Sequence, residues 1–175
     1  MHKGLLFFWL VLAAMAVRAD DAASKLDAVK AAYVFRISSF AVWPDNSAAQ
    51  NMTLCIAGEH VEGIASVLGE KTAGRKIKGR NIVVRYLNRY DEVEAGSCDT
   101  LYLSEGANRS WFVLPETLFN RLLIISDPSL SLSGISLIRL FMKGGNIVFA
   151  VDSEVLKRSQ LQLPASLLSL AQKDD

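Results

Sequence analysis

Few side chains in this 175-residue chain are of the types that do chemistry, and their spacing narrows what they can do. Only two histidines are present, and His2 stands in an N-terminal segment of export type, which leaves His60 alone in the body of the protein. A Ser-His-Asp triad would have to run through His60, and no serine sits in the G-x-S-x-G elbow that exposes a nucleophile. A lone histidine ahead of a helix reads as structural. Asp91, Glu92 and Glu94 could supply acid–base or calcium-binding carboxylates, but they fall in a polar run that reads as a solvated loop. Gly69 and Gly74 have the spacing that opens a phosphate-binding loop, yet Arg75-Lys76-Ile77 follows where Lys-Ser/Thr is needed to hold phosphate and magnesium. That stretch reads as a basic turn, able at most to meet an acidic partner. No catalytic residue, metal site or cofactor is expected.

Cys55 and Cys98 are the only cysteines, too few for a four-cysteine zinc site and without C-x-x-C spacing. In an exported protein they would most simply form one internal disulfide, closing a loop of about 44 residues for a chain-entropy gain of up to roughly 4 kcal/mol. Free buried thiols or an intermolecular link are the other readings. Trp43 reads as packing over the end of the first helix, while Trp111 is a candidate for contact with a partner, because protein interfaces favour aromatic residues. Trp111 stands near Phe112, Leu114 and Phe119 and could equally be core.

The export reading rests on residues 1–19. Lys3 precedes an uninterrupted apolar run, Leu5–Val17, and Val17 and Ala19 occupy the small-residue positions of a cleavage site between Ala19 and Asp20. Thirteen apolar residues span about 20 Å of helix, short of a bilayer core of about 30 Å. The expected organisation is a cleaved signal peptide, 1–19, and one domain, 20–175. Apolar residues make up 51% of the chain, an excess that residues 1–19 hold; with Lys3 and Arg18 removed, the net charge falls from +1 to −1. Near-neutrality argues against binding nucleic acid by bulk charge.

The elements that would position these residues follow from apolar periodicity. Ser24 can cap a helix in which Leu26, Val29, Tyr33, Ile37 and Phe40 form one stripe, ended by Trp43-Pro44. Met52–Ala57, Asn81–Leu87, Thr100–Ser104 and Leu122–Ser126 read as buried strands, with a helix over His60–Leu68 and a helical crossover over Asn108–Asn120. Gly69–Gly79 reads as a basic turn or hairpin region. Ile135–Met142 and Ile147–Val151 flank a Gly-Gly turn and predict a β-hairpin, followed by helices at Ser153–Arg158 and Ala165–Ala171. The predicted fold is α/β: a single domain with a mixed β-sheet of five to six strands flanked by helices, and a C-terminal β-hairpin followed by helices.

In this order the segments resemble the YfiR family of exported bacterial regulators. The resemblance is carried by Lys30–Pro44 (KAAYVFRISSFAVWP), Leu54–Gly58 (LCIAG), Gly74–Arg85 (GRKIKGRNIVVR), Cys98–Ser104 (CDTLYLS), Leu122–Asp127 (LLIISD), Gly134–Leu140 (GISLIRL), Asn146–Asp152 (NIVFAVD) and Leu161–Ala171 (LQLPASLLSLA). Asp152 stands where asparagine is common in the family, and the second cysteine pair of some members is absent. The resemblance implies a periplasmic protein that is not an enzyme. It would repress an inner-membrane diguanylate cyclase (YfiN-like) by binding its periplasmic sensing domain. It would be sequestered by an OmpA-like outer-membrane lipoprotein (YfiB-like), and would affect biofilm formation and motility through cyclic di-GMP. It also implies a homodimer. The partner-binding residues expected are Trp43 and Pro44 after the first helix, and Glu154, Leu161 and Leu163 before the last; Leu161 and Leu163 flank Gln160 and Gln162, so one of the two pairs faces out, and the other reading is that both leucines cap the core. The competing reading is an exported small-ligand-binding module with its pocket at the strand ends.

Overall fold

The computed structural model describes residues 24–44, 49–87, 97–107, 120–127 and 134–173. The signal segment, the Asp91–Glu94 carboxylates, Trp111 with its aromatic neighbours, and nearly all of the expected 108–120 crossover lie outside the described residues.

A seven-stranded sheet organises the chain. Its elements are α1 (24–40), β1 (Asn51–Ala57), α2 (Glu62–Thr72), β2 (Lys76–Ile77), β3 (Arg80–Leu87), β4 (Thr100–Leu103), β5 (Leu123–Ser126), β6 (Ile138–Lys143), β7 (Asn146–Val151), α3 (Ser153–Arg158) and α4 (Ala165–Leu168). The strand order is β2-β3-β1-β4-β5-β6-β7. β3, β1, β4, β5 and β6 run parallel, while β2 and β7 pair antiparallel at the two edges. The α/β class and the mixed sheet are as the sequence predicts. The strand beyond the expected six is β2, only two residues long, inside the segment read as a basic turn or hairpin region, where it pairs antiparallel with β3. Nothing so short has a periodicity to detect.

Both faces of the sheet are apolar, as parallel strands require. Met52, Leu54 and Ile56 of β1 point to one face with Tyr102, Leu123, Ile125 and Leu140, under α1 and α2. Cys55 and Ala57 point to the other, with Leu87, Leu101, Leu103 and Ile124. Cys55 and Cys98 are bonded there, 43 residues apart in sequence. Arg80, at the start of β3, is buried and reaches past β1: Nη2 donates to both Asp99 carboxylate oxygens (2.9 and 2.8 Å) and to the Asn51 carbonyl. Asp99 Oδ2 also accepts from the Thr53 amide at 2.8 Å, so one ion pair fixes three neighbouring strand starts.

α1 docks with a face that shares only Ile37 and the half-buried Tyr33 with the predicted stripe. Ala31, Val34, Ile37, Ser38 and Ala41 are buried, whereas Leu26, Val29 and Phe40 are 40%, 42% and 47% exposed. Small residues let the helix approach the sheet closely enough for Ser38 Oγ to meet Thr100 Oγ1 at 2.9 Å. A stripe counted by size alone adds the outward Leu26, Val29 and Phe40 and passes over the small buried residues Ala31 and Ser38. Farther on, Asp152 caps α3 by accepting from the Glu154 and Val155 amides at 2.9 and 3.0 Å. Pro164 is the N-cap of α4, which ends at Leu168, short of the Ala171 that the sequence predicts.

Candidate functional site

In doubly wound sheets ligands enter beyond the carboxyl ends of the strands where the chain reverses direction across the sheet. Here that point lies between β1 and β4, because the chain passes from β1 to β3 on one side and then returns to β4 on the other. Strand-end residues fill it. Tyr102 Oη donates to Asp127 Oδ2 at 2.8 Å, and Lys30 Nζ of α1 lies 2.6 Å from the same oxygen. Burial, with Asp127 close by, pushes the Tyr102 hydroxyl far above its ordinary range, so it stays a donor. Asp27 lies one turn before Lys30. Its pKa is raised, first by burial, against the attraction of Lys30 and with added repulsion from Asp127. Two glycines let the chain close over this cluster. A Cβ at Gly58, where φ is +133°, would sit 2.8 Å from the Ser104 Cβ, and one at Gly63 would collide with the Asp27 carboxylate. The crevice is therefore packed with the protein's own side chains.

A shallow open groove of about 390 Å³ lies nearby, between the start of α1 and the tip of the β6–β7 hairpin. Leu26, Val29 and Tyr33 form one wall, and Met142 and Ile147 the other.

The segments expected to meet a partner are brought side by side. Val42 and Gln162 form an isolated antiparallel bridge, with N–O distances of 2.9 and 3.0 Å. Extended backbone on both sides makes the side chains alternate. Ala41, Trp43, Leu161 and Leu163 point into the main core, while Phe40, Val42, Pro44, Gln160 and Gln162 point out. Three of the expected contact residues, Trp43 (7% exposed), Leu161 (4%) and Leu163 (9%), are thus core side chains. The physical reason is the alternation itself: the residues beside them carry the surface. Pro44 is exposed, and Glu154 stands on the solvent side of α3, paired with Lys157 at 2.7 Å.

What results is an apolar strip, Phe40-Val42-Pro44, alongside two glutamines. Lys78 flanks it, donating from Nζ to the Ala41 carbonyl; burial lowers its pKa. Arg75, from the same basic turn, lies over the Phe35 ring, 5.8 Å from its centroid. Apolar centre and polar, cationic margin are the composition of a protein-binding surface. The sequence does not mark Phe40 and Val42 as surface residues, because Phe40 completes a helical stripe and Val42 carries no signal of its own.

His60 is exposed in the turn after β1, with φ +53°, and belongs to no cluster of three or more potential metal ligands among the described residues. Residues 27–172 match the profile of a protein family described as YfiR/HmsC-like. No curated protein matches the chain.

Proposed function

Because the chain belongs to the YfiR/HmsC-like family, we propose that it is a periplasmic negative regulator of an inner-membrane diguanylate cyclase, acting by binding rather than by catalysis. The finer reading is that it docks on the periplasmic sensing domain of a YfiN-like cyclase through the strip around the 42–162 bridge. Capture by a YfiB-like, OmpA-like outer-membrane lipoprotein would release the cyclase, with biofilm formation and motility as the output. Residues 1–19 serve in this reading as the export signal, cleaved after Ala19. No helix among the described residues is long and apolar enough to cross a membrane.

The observation that carries the reading, beyond family membership, is the contrast between two places. The strand-end crevice is filled by Tyr102, Asp127, Lys30 and Asp27, while bulky apolar side chains stand outward at Phe40 and Val42. Repression requires the bound regulator to have higher affinity for the inactive arrangement of the cyclase than for the active one. Deleting the gene should raise cellular cyclic di-GMP. Reintroducing Phe40→Lys/Val42→Lys should leave it raised, with an unchanged Tm and at least tenfold weaker capture of the cyclase sensing domain. Unchanged cyclic di-GMP on deletion would refute the proposal.

The small-ligand reading keeps one observation in its favour, the groove between α1 and the hairpin. A ligand-dependent rise in Tm that Met142→Lys abolishes would support it.

A further inference from the structure

Charge is unevenly spread over this molecule. The chain is close to neutral, yet five of the eleven residues from Glu70 to Arg80 are basic and only Glu70 is acidic. Arg80 is paired with Asp99 inside the fold. Lys76 alternates along β2 with Ile77, and Ile77 joins the core beneath α1, so Lys76 points to the opposite side. Arg75 and Lys78 instead reach α1: Arg75 lies over the Phe35 ring, and Lys78 Nζ donates to the Ala41 carbonyl. Arg36 adds a third charge from α1 itself. It is exposed and stands one helical turn before the outward Phe40, on the same face.

Lys78 occupies a backbone position that suits other residues better. Lys78 and Gly79 form the two-residue turn between β2 and β3, both with positive φ (+51° and +82°), and the first position of such a turn favours asparagine or glycine. A lysine there brings a charge to the end of α1 that neither would bring. Among the described residues none of Arg36, Arg75 and Lys78 meets a carboxylate. On the other margin of the strip Gln160 and Gln162 are neutral, and Glu154 is paired with Lys157. The apolar strip therefore has one cationic margin and one neutral margin.

We propose that the partner face covering Phe40 and Val42 is an acidic protein surface, an apolar hollow bordered on one side by carboxylates that meet Arg36, Arg75 and Lys78. A wholly apolar partner would desolvate these cations and leave them unpaired, which is unfavourable. Carboxylates remove that cost, and arginine can take them in two parallel hydrogen bonds. Because only one margin is charged, the same pairs fix the direction in which the partner lies across the strip. A lipid surface fits less well: Phe40 and Val42 are 47% and 42% exposed, so more than half of each is embedded in the protein's own surface and little is left to enter an acyl layer. This partner chemistry rests on the docking surface proposed above, and the two fail separately in the test.

Surface plasmon resonance of the purified protein on the cyclase sensing domain, run over a salt series, tests it. Association should slow at least tenfold between about 10 mM and about 150 mM salt, as the screening length falls from about 30 Å to about 8 Å. At the lower salt Arg36→Glu should slow association at least tenfold and Arg36→Glu/Arg75→Glu further, whereas Phe40→Ala should act on dissociation. The Arg36 side chain makes no hydrogen bond or ion pair among the described residues, so Arg36→Glu keeps the test valid if the double variant has a lowered Tm. Association that neither salt nor the charge substitutions slow, with capture still lost in Phe40→Lys/Val42→Lys, would overturn the acidic partner and leave the docking surface. Capture untouched by either set of substitutions would overturn both. Binding to phosphatidylglycerol vesicles that Arg36→Glu/Arg75→Glu abolishes, alongside unchanged association with the sensing domain, would assign the cations to a lipid surface and likewise overturn the proposal.

Discussion

Removing the Cys55–Cys98 bond without removing an atom tests how this sheet is held together. The bond joins central β1 to the residue two positions before β4, closing a loop that includes α2, β2 and β3. For a loop of about 44 residues, the chain-entropy relation gives an unfolded-state effect of about 13 cal/mol/K, or about 4 kcal/mol at 25 °C. The entropy of unfolding is about 2.1 cal/mol/K per residue, so about 150 residues give roughly 0.3 kcal/mol/K, and the loss corresponds to about 12 °C in Tm. Cys55 is fully buried and Cys98 nearly so, which means reductant reaches the bond only through opening. The protein should therefore be unfolded and reduced, refolded in reductant, and compared with oxidised protein by calorimetry. The expected outcome is a drop of about 12 °C, with a reduced chain that still folds, because the cluster around the bond retains Leu87, Leu101, Leu103 and Ile124. A drop under about 3 °C would refute the reasoning. It would mean that the reduced, unfolded loop is already held short by residual contacts.

Two further outcomes follow from buried charge. Arg80→Ala should destabilise by about 3 kcal/mol in denaturant titration, because it leaves Asp99 partly buried without its cation and removes the tie between β3, β1 and the start of β4; a loss below about 1 kcal/mol would mean the pair is no more than a surface contact. Asp27 carries a raised pKa in the folded state, from burial first. The folded protein then holds that proton more tightly than the unfolded chain does, and the stability it confers at low pH is lost as pH rises through the folded pKa. Asp27→Asn should therefore gain on the parent between pH 3.5 and pH 7 in a series of Tm measurements. A difference that moves the other way would show that attraction to Lys30 outweighs burial.

How much of this could be read from the sequence depended on how many residues carried each signal. β1, β4 and β5 are short apolar runs buried on both faces, and their composition alone marks them. The hairpin is marked by Gly144-Gly145 between two apolar runs. α1 was legible as a helix and only partly in orientation: Ile37 is buried as its stripe expects, while Leu26, Val29 and Phe40 are exposed. The face that docks is chosen by how closely Ala31, Ser38 and Ala41 let the backbone approach β4, a property of the partner surface. Gly63 looks like an ordinary helical glycine until Asp27, 36 positions earlier, is placed against it. In each of the two segments the exposed side chains lie one residue away from the expected contact residues. Trp43, Leu161 and Leu163 are the conspicuous side chains there, and a one-residue step along an extended chain turns each of them inward.

That one-residue alternation also bears on the proposed docking surface. The 42–162 bridge ties the exit of α1 to the segment between α3 and α4, so two distant stretches form one surface. Trp43 and Leu163 anchor the strip from beneath, and the outward Phe40 and Val42 are held on backbone that is already ordered. A surface ordered before binding loses less conformational entropy when a partner arrives. Burial alone does not require large apolar side chains at these positions. Replacing Trp43 with Ala should therefore weaken partner capture as well as stability, although the residue is almost wholly buried. Phe40→Ala should weaken capture alone.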